Sequence, residues 1–151
     1  MGEWMAQDNQ GRPVWVHWDE PRCTGCMACV IVCSERHTGT SAPSRSRIHI
    51  LVNPLTGGLT GSFCRQCRKA ACAAACPQEA IRFDARLGAW LVDEHLCTGC
   101  GQCVEACRFR AIRLDPVTDL AAKCDLCQGA MRCVEVCPAG ALVVKGRGGG
   151  R

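Results

Sequence analysis

The sequence predicts an α+β chain of short helices and β-hairpins wrapped around something other than an apolar core. Three observations predict it. Sixteen cysteines in 151 residues fall in four groups of four: Cys23, Cys26, Cys29, Cys33; Cys64, Cys67, Cys72, Cys76; Cys97, Cys100, Cys103, Cys107; and Cys124, Cys127, Cys133, Cys137. The hydrophobic share of 48% counts those cysteines, and without them it falls to about 37%, too little for an ordinary core in a chain of this length. After each of the last three groups a polar turn leads into a short apolar stretch, AIRF, AIRL and ALVV in turn, each of strand length.

The elements follow in chain order. Val14, Val16 and Trp18 alternate with polar or aromatic neighbours, which predicts a strand with one apolar face. That strand either pairs with Arg47 to Val52, RIHILV, or offers Trp15, Val16 and Trp18 as a docking surface for another subunit. In each cysteine group the last two thiols lie four residues apart (29/33, 72/76, 103/107, 133/137), on one face of a helical turn. Each motif therefore reads as a loop followed by one turn of helix. Between the second and third motifs, AIRFDARLGAWLV reads as a hairpin, with Asp93 just ahead of Cys97. His17 and His49 fall in strands and His95 in a turn, as surface or packing residues. His37, four residues after Cys33, is a candidate hydrogen-bond donor to a ligand sulfur or a contact residue for a partner.

A cysteine density of about 11% is otherwise a property of disulfide-rich secreted domains. The first eighteen residues, however, have neither the basic start nor the apolar run of roughly seven to fifteen residues of a secretory signal. The thiols are thus expected to be metal ligands in the cytoplasm, with folding coupled to metal binding. A largely unfolded apo-protein is expected. No run of about eighteen apolar residues exists to span a membrane. The formal charge of +4 suits a nucleic-acid binder only while every thiol is neutral. Sixteen thiolates around four cores of roughly +2 each bring it to about −4, so Arg45 and Arg47 in SRSRI read as solvated or structural arginines and no nucleic-acid partner is expected.

The spacing of two, two and three residues, strict in the first and third motifs, places three thiols within seven residues. One loop then wraps a cubane and binds three of its irons, while the fourth thiol points away. Zinc sites with four thiolates prefer two C-x2-C knuckles and a long spacer. Pairing Cys64/Cys67 with Cys124/Cys127 in that way leaves Cys29, Cys33, Cys103 and Cys107 idle. Iron–sulfur chemistry therefore accounts for the cysteines better than zinc. No G-x-G-x-x-G, P-loop or G-x-S-x-G motif marks a substrate site, so conduction of electrons is expected rather than catalysis.

The segment Cys64 to Leu114 resembles a complete two-cluster bacterial ferredoxin, in which the fourth cysteine of each motif ligates the other motif's cluster. This implies that the second and third motifs pair, and leaves the first to pair with the fourth, one ferredoxin-like module being inserted in the other. Adjacent pairing, first with second and third with fourth, stays open on the sequence. The corresponding boundaries are an outer module over 1–58 and 117–145, an inserted module over 59–116, and a flexible Gly/Arg tail over 146–151.

The nested four-motif pattern resembles the iron–sulfur electron-transfer subunits of the dimethyl sulfoxide reductase type. Within that group CTGCMACVIVCSERHTGTSAPSRSRI looks most like the small subunits of tungsten-dependent aldehyde oxidoreductases and of benzoyl-CoA-reducing complexes. The resemblance implies four [4Fe–4S] clusters: one on Cys23, Cys26, Cys29 and Cys137, a second on Cys124, Cys127, Cys133 and Cys33, a third on Cys97, Cys100, Cys103 and Cys76, and a fourth on Cys64, Cys67, Cys72 and Cys107. It also implies a hetero-oligomer with a catalytic tungsten- or molybdenum-pterin subunit, a flavin, nicotinamide or ferredoxin partner, and several copies of this chain in some assemblies. Carbon monoxide dehydrogenase, hydrogenase and formate dehydrogenase complexes, or life as a free polyferredoxin, are the alternative settings. Arg65, Arg68 and Lys69 crowd the fourth cluster in this reading, and Arg108 stands where Pro77 and Pro138 follow their motifs.

Overall fold

A computed structural model describes residues 14–146; the expected Gly/Arg tail lies almost wholly outside them. Eight short strands form four separate antiparallel pairs. Strand β1 (Val14–Trp18) pairs with β8 (Leu142–Gly146), β2 (His49–Val52) with β3 (Leu59–Ser62), β4 (Ile81–Asp84) with β5 (Ala89–Val92), and β6 (Ile112–Leu114) with β7 (Ala121–Lys123). Four α-helices carry the second half of each cysteine motif: α1 (Ala28–Thr38), α2 (Ala71–Ala74), α3 (Gln102–Ala106) and α4 (Arg132–Val136).

The unit motif–hairpin thus repeats. The first three motifs are each followed by a hairpin of their own. The fourth is followed by β8 alone, which takes the chain's first strand as its partner instead. This corrects both roles expected of β1. RIHILV is not its partner: β1 pairs with β8, and β2 pairs with β3 alone. Nor is β1 a free docking face: Val14 and Val16 are buried, and the Trp18 ring stacks on Phe63 with centroids 5.7 Å apart. The strands expected after Cys76, Cys107 and Cys137 are β4, β6 and β8. The single expected turn of helix describes α2, α3 and α4, but α1 runs for 11 residues. No glycine or proline interrupts ACVIVCSERHT, and its end is set by Gly39, left-handed at φ 74°, whose N–H bonds the Glu35 carbonyl.

Helix α1 packs on α4, and α2 on α3. Two buried clusters follow that division. One combines Cys29, Val30, Cys33, Leu126, Met131 and Cys133 with the strand residues Val14, Val16, Ile50 and Leu142 and with Ile48 just ahead of β2. The other is smaller: Ile81, Cys103, Ile112 and Ala121, with Cys72, Cys76, Cys97 and Cys107 against it. The large cluster also takes in Phe63 and Ala89 from the middle of the chain, so the two halves share packing.

Arg45 and Arg47 are structural rather than solvated. The Arg45 guanidinium donates to the Asp115 carboxylate at 2.9 Å, tying the loop after α1 to the turn between β6 and β7. Arg47 donates to the Lys123 carbonyl at 3.1 Å and lies 3.4 Å from Asp125. Such pairs between distant segments hold the halves in register.

Gly61 sits where the Trp18 and Phe63 rings close over β3. A Cβ there would lie 2.6 Å from Trp18 and 2.8 Å from Phe63. Gly61→Ala is expected to overpack this corner at a cost of about 1–3 kcal/mol, read as faster bleaching of the visible absorbance in guanidinium with unchanged initial iron content. A bleaching rate equal to the parent's contradicts the packing described.

Candidate metal centre

Each motif's first cysteines are presented by a loop forced into unusual backbone conformations. In the third motif, Gly99 has φ +69°, and a Cβ on it would meet the Asp119 carbonyl oxygen at 2.3 Å. Only glycine fits there, because both the left-handed conformation and the backbone approach exclude a side chain. In the fourth motif Leu126, Cys127 and Gln128 all have positive φ, and the Asp125 side chain accepts the Cys127 N–H at 2.8 Å to hold the turn. This is how a motif with a middle gap of five still presents its thiols like the others.

Cysteines from different motifs line common spaces. Cys23, Cys26 and Cys29 share one with Cys137. Cys97, Cys100 and Cys103 share another with Cys76, and Cys64, Cys67 and Cys72 a third with Cys107. The remaining four, Cys33, Cys124, Cys127 and Cys133, gather by mutual electrostatic contact: Cys133 feels Cys127 and Cys33, Cys127 feels Cys33, and Cys124 feels Cys133. Twelve of the sixteen cysteines thus line spaces shared between two motifs, while in the last four the couplings also reach Cys29 and Cys64 of other groups.

The electrostatics test whether these groups suit a cationic core. Burial pushes the Cys29 thiol up to about 11, and the neighbouring Cys23, Cys26 and Cys137 add to it. Burial likewise takes Cys103 to about 11 and Cys133 to about 12, again with sulfur neighbours adding to the rise. Burial raises Cys124 well above the ordinary thiol value too, with Cys64 and Cys133 reinforcing it. Sulfurs so placed cannot all be thiolates unless a multiply positive centre lies among them, and binding that centre expels their protons. The donor sets fit an iron–sulfur core, which supplies reversible one-electron chemistry when bound.

Backbone amides point at the sulfurs. The N–H groups of Ala80, Ala111 and Ala141 donate to Cys76, Cys107 and Cys137, each four residues earlier, at 3.3, 3.5 and 3.3 Å. Cys33 receives the Arg47 N–H at 3.3 Å instead, because α1 continues past it and delays the chain's return. Gly25, Leu126 and Ala121 donate to Cys23, Cys124 and Cys97 at 3.4 Å. Donors of this kind stabilise added negative charge on the sulfur and raise a centre's potential.

His37 lies against Cys33, as the sequence suggested. Its Nδ1–H donates to the Cys33 carbonyl at 2.8 Å with the sulfur 3.7 Å away, and its Nε2–H donates to Asp125 at 2.9 Å. Two donating ring nitrogens mean an imidazolium. Burial alone would lower the His37 pKa, but the bonds to Asp125 and Cys33 overcome it and raise the value to about 9. Asp125 is correspondingly held at about 2, burial acting against the stronger pull of His37 and Arg47. His17, His49 and His95 lie away from the sulfurs in strands and a turn, and burial together with Arg113 takes His49 down to about 4.

The space among Cys64, Cys67, Cys72 and Cys107 measures about 660 Å³ and is rimmed by Arg65, Arg68, Lys69 and Arg108. Arg65 and Arg108 also lie over the Phe109 ring, 5.5 and 5.0 Å from its centre. The basic crowd expected around this group is therefore present. Two residues were missed. Gln66, 1% exposed, and Lys123, 3% exposed, are buried beside it. Their signal was the strand AAK before Cys124, where alternation puts Lys123 on the same face as the buried Ala121.

Comparison with known proteins agrees with this chemistry. Residues 57–147 match the 4Fe-4S dicluster domain family and residues 16–38 a 4Fe-4S binding domain. The polyferredoxin-like subunit of the aliphatic sulfonate oxidoreductase of Pyrococcus furiosus is 35% identical over 133 residues, 88% of this chain and 76% of that protein. The beta subunit of the NADH-dependent phenylglyoxylate dehydrogenase of Aromatoleum evansii is 36% identical over 84% of this chain, which spans only 29% of that longer protein. A chain of the active site complex of benzoyl coenzyme A reductase bound to benzoyl-CoA superposes with a TM-score of 0.53 at 26% identity, covering 89% of this chain and 80% of that one. With its cysteine loops, the amides aimed at sulfur and these matches, the chain belongs to the 4Fe-4S dicluster family of ferredoxin-like electron-transfer subunits and binds [4Fe–4S] clusters.

Proposed function

We propose that this chain is the electron wire of a hetero-oligomeric oxidoreductase and carries four [4Fe–4S] clusters without a catalytic site of its own. The ligand sets are the four sulfur groups: Cys23, Cys26, Cys29 and Cys137; Cys33, Cys124, Cys127 and Cys133; Cys64, Cys67, Cys72 and Cys107; and Cys76, Cys97, Cys100 and Cys103. The observation that carries the reading is the exchanged last cysteine, with Cys137, Cys76 and Cys107 each lining a space together with three thiols of another motif. The packing of α1 on α4 and of α2 on α3 supports one module, 59–116, inserted within another, 1–58 with 117–145. Hairpins β2–β3 and β6–β7 straddle the two seams.

Electrostatic coupling between sulfurs supports one order for the wire. Cys29 acts on Cys133 within the outer pair, Cys64 on Cys124 across the seam, and Cys72 on Cys103 within the inserted pair. The terminals are then the sets of Cys23 and of Cys97, at which electrons enter and leave. Cys26 and Cys100, one in each of these sets, are the exposed cysteines of the chain, which suits contact with partner proteins.

The catalytic partner in this reading is a tungsten- or molybdenum-pterin aldehyde oxidoreductase, with a flavin or ferredoxin partner at the other terminal and the complex in the cytoplasm. Support for the aldehyde oxidoreductase comes from the resemblance of the first motif, and the relative that is a polyferredoxin-like subunit of a sulfonate oxidoreductase supports a place in an oxidoreductase complex. A benzoyl-CoA-reducing complex is the second reading, favoured by the superposition on that enzyme's active site complex. Anaerobic purification of the tagged chain from its native cell tests both. The proposal expects a large co-purifying subunit containing tungsten or molybdenum, and oxidation of aldehydes separates the first reading from the second; a chain that elutes alone contradicts both.

The fully loaded chain is expected to contain about 16 iron. Cys33→Ser is expected to damage the cluster of Cys124, Cys127 and Cys133, and Cys107→Ser that of Cys64, Cys67 and Cys72, in each case seen by EPR as one altered signal. Damage confined to each variant's own motif contradicts the exchanged ligands. Replacing both Arg65 and Arg68 by Gln is expected to lower the potential of the Cys64 cluster alone in a redox-titrated EPR experiment. An unmoved potential means that solvent screens these arginines.

A further inference from the structure

Lys123 is a buried cation with no carboxylate paired to it among the described residues. Its Nζ donates to the Trp90 carbonyl, to the Cys124 carbonyl at 3.0 Å and to Gln66 Oε1 at 3.4 Å. Three acceptors for three N–H bonds describe an ammonium. All three acceptors are neutral. A buried charge without an opposite charge is costly, so the countercharge must come from elsewhere.

Its position supplies the answer. Lys123 lines the space of Cys64, Cys67, Cys72 and Cys107 on one side and bonds the Cys124 carbonyl on the other, so it touches the two sets that face each other across the seam. A cubane with four thiolates carries a net charge of about −2 when its core is about +2. Gln66 completes the link. It stands inside the loop between Cys64 and Cys67, yet its Nε2–H donates to the Cys124 carbonyl at 2.9 Å, and its Oε1 accepts the Trp90 N–H at 2.8 Å. One buried amide thus ties the second cysteine loop to the fourth.

We infer that Lys123, positioned by Gln66, is the electrostatic joint of the wire: its ammonium lies between the Cys64 and Cys124 clusters, serves as their shared counterion and raises the potentials of both. The step it assists moves one electron from one core, which is oxidised, to the other, which is reduced. No proton moves, and Lys123 keeps all three of its own. Because it faces both centres, Lys123 eases the repulsion between two anionic clusters while favouring neither direction.

The inference rests on the ligand sets proposed above. Those sets fail if the unmodified protein lacks four clusters, whereas this inference fails only in the comparison of variant with parent. Lys123→Met keeps the length of the side chain and removes its charge. Redox-titrated EPR of the loaded variant is expected to show the Cys64 and Cys124 clusters shifted to lower potential, with those of Cys23 and Cys97 moved less. Four unchanged potentials overturn the inference. Should Lys123→Met load less than the parent's iron, Gln66→Glu decides, since it sets an anion beside the ammonium without removing it. A lower potential at the same two clusters supports the joint, and parent values overturn it.

Discussion

The bond between thiolate and iron is the constraint on which the rest of the structure depends. Among the described residues the strands are three to five residues long and no sheet has more than two of them. Isolated two-stranded hairpins are marginal in water, and three of the four helices are a single turn or little more. None of these elements is stable on propensity alone. What joins them is the meeting of four loops through their sulfurs, with the buried cysteines Cys29, Cys33, Cys103, Cys127 and Cys133 standing where a larger protein would place leucines.

The same constraint explains the polar interior. Thiolates and cores leave net negative charge at the centre, and the chain answers with cations and N–H donors rather than with more apolar surface. His37 and Arg47 gather at Cys33 through Asp125, amides point at the last cysteine of every motif, and Lys123 lies between two sulfur sets. Stability and redox tuning are therefore exerted by the same groups.

Much of this was legible in the sequence. The four motifs, the strands after Cys76, Cys107 and Cys137 and the strand at Val14 are local patterns, since spacing and alternation act within a few residues. That Arg45 and Arg47 are solvated or structural followed from charge once the thiols were counted as ligands. The partner of β1 was not legible. RIHILV and ALVV are both short apolar stretches, and the choice between them depends on β3, whose LTGS sequence carries little strand signal. Gln66 and Lys123 escaped for a related reason. A polar residue beside a cysteine ordinarily faces solvent, and only the approach of the fourth motif to the second buries these two.

The most direct test is an anomalous difference map at the iron edge from crystals of the anaerobically purified protein. The account predicts four compact iron peaks, each enclosed by one group of sulfurs that includes the last cysteine of another motif, with the Cys64 and Cys124 peaks as neighbours across the seam. Iron enclosed by the four cysteines of a single motif, or the first motif sharing iron with the second, would contradict it.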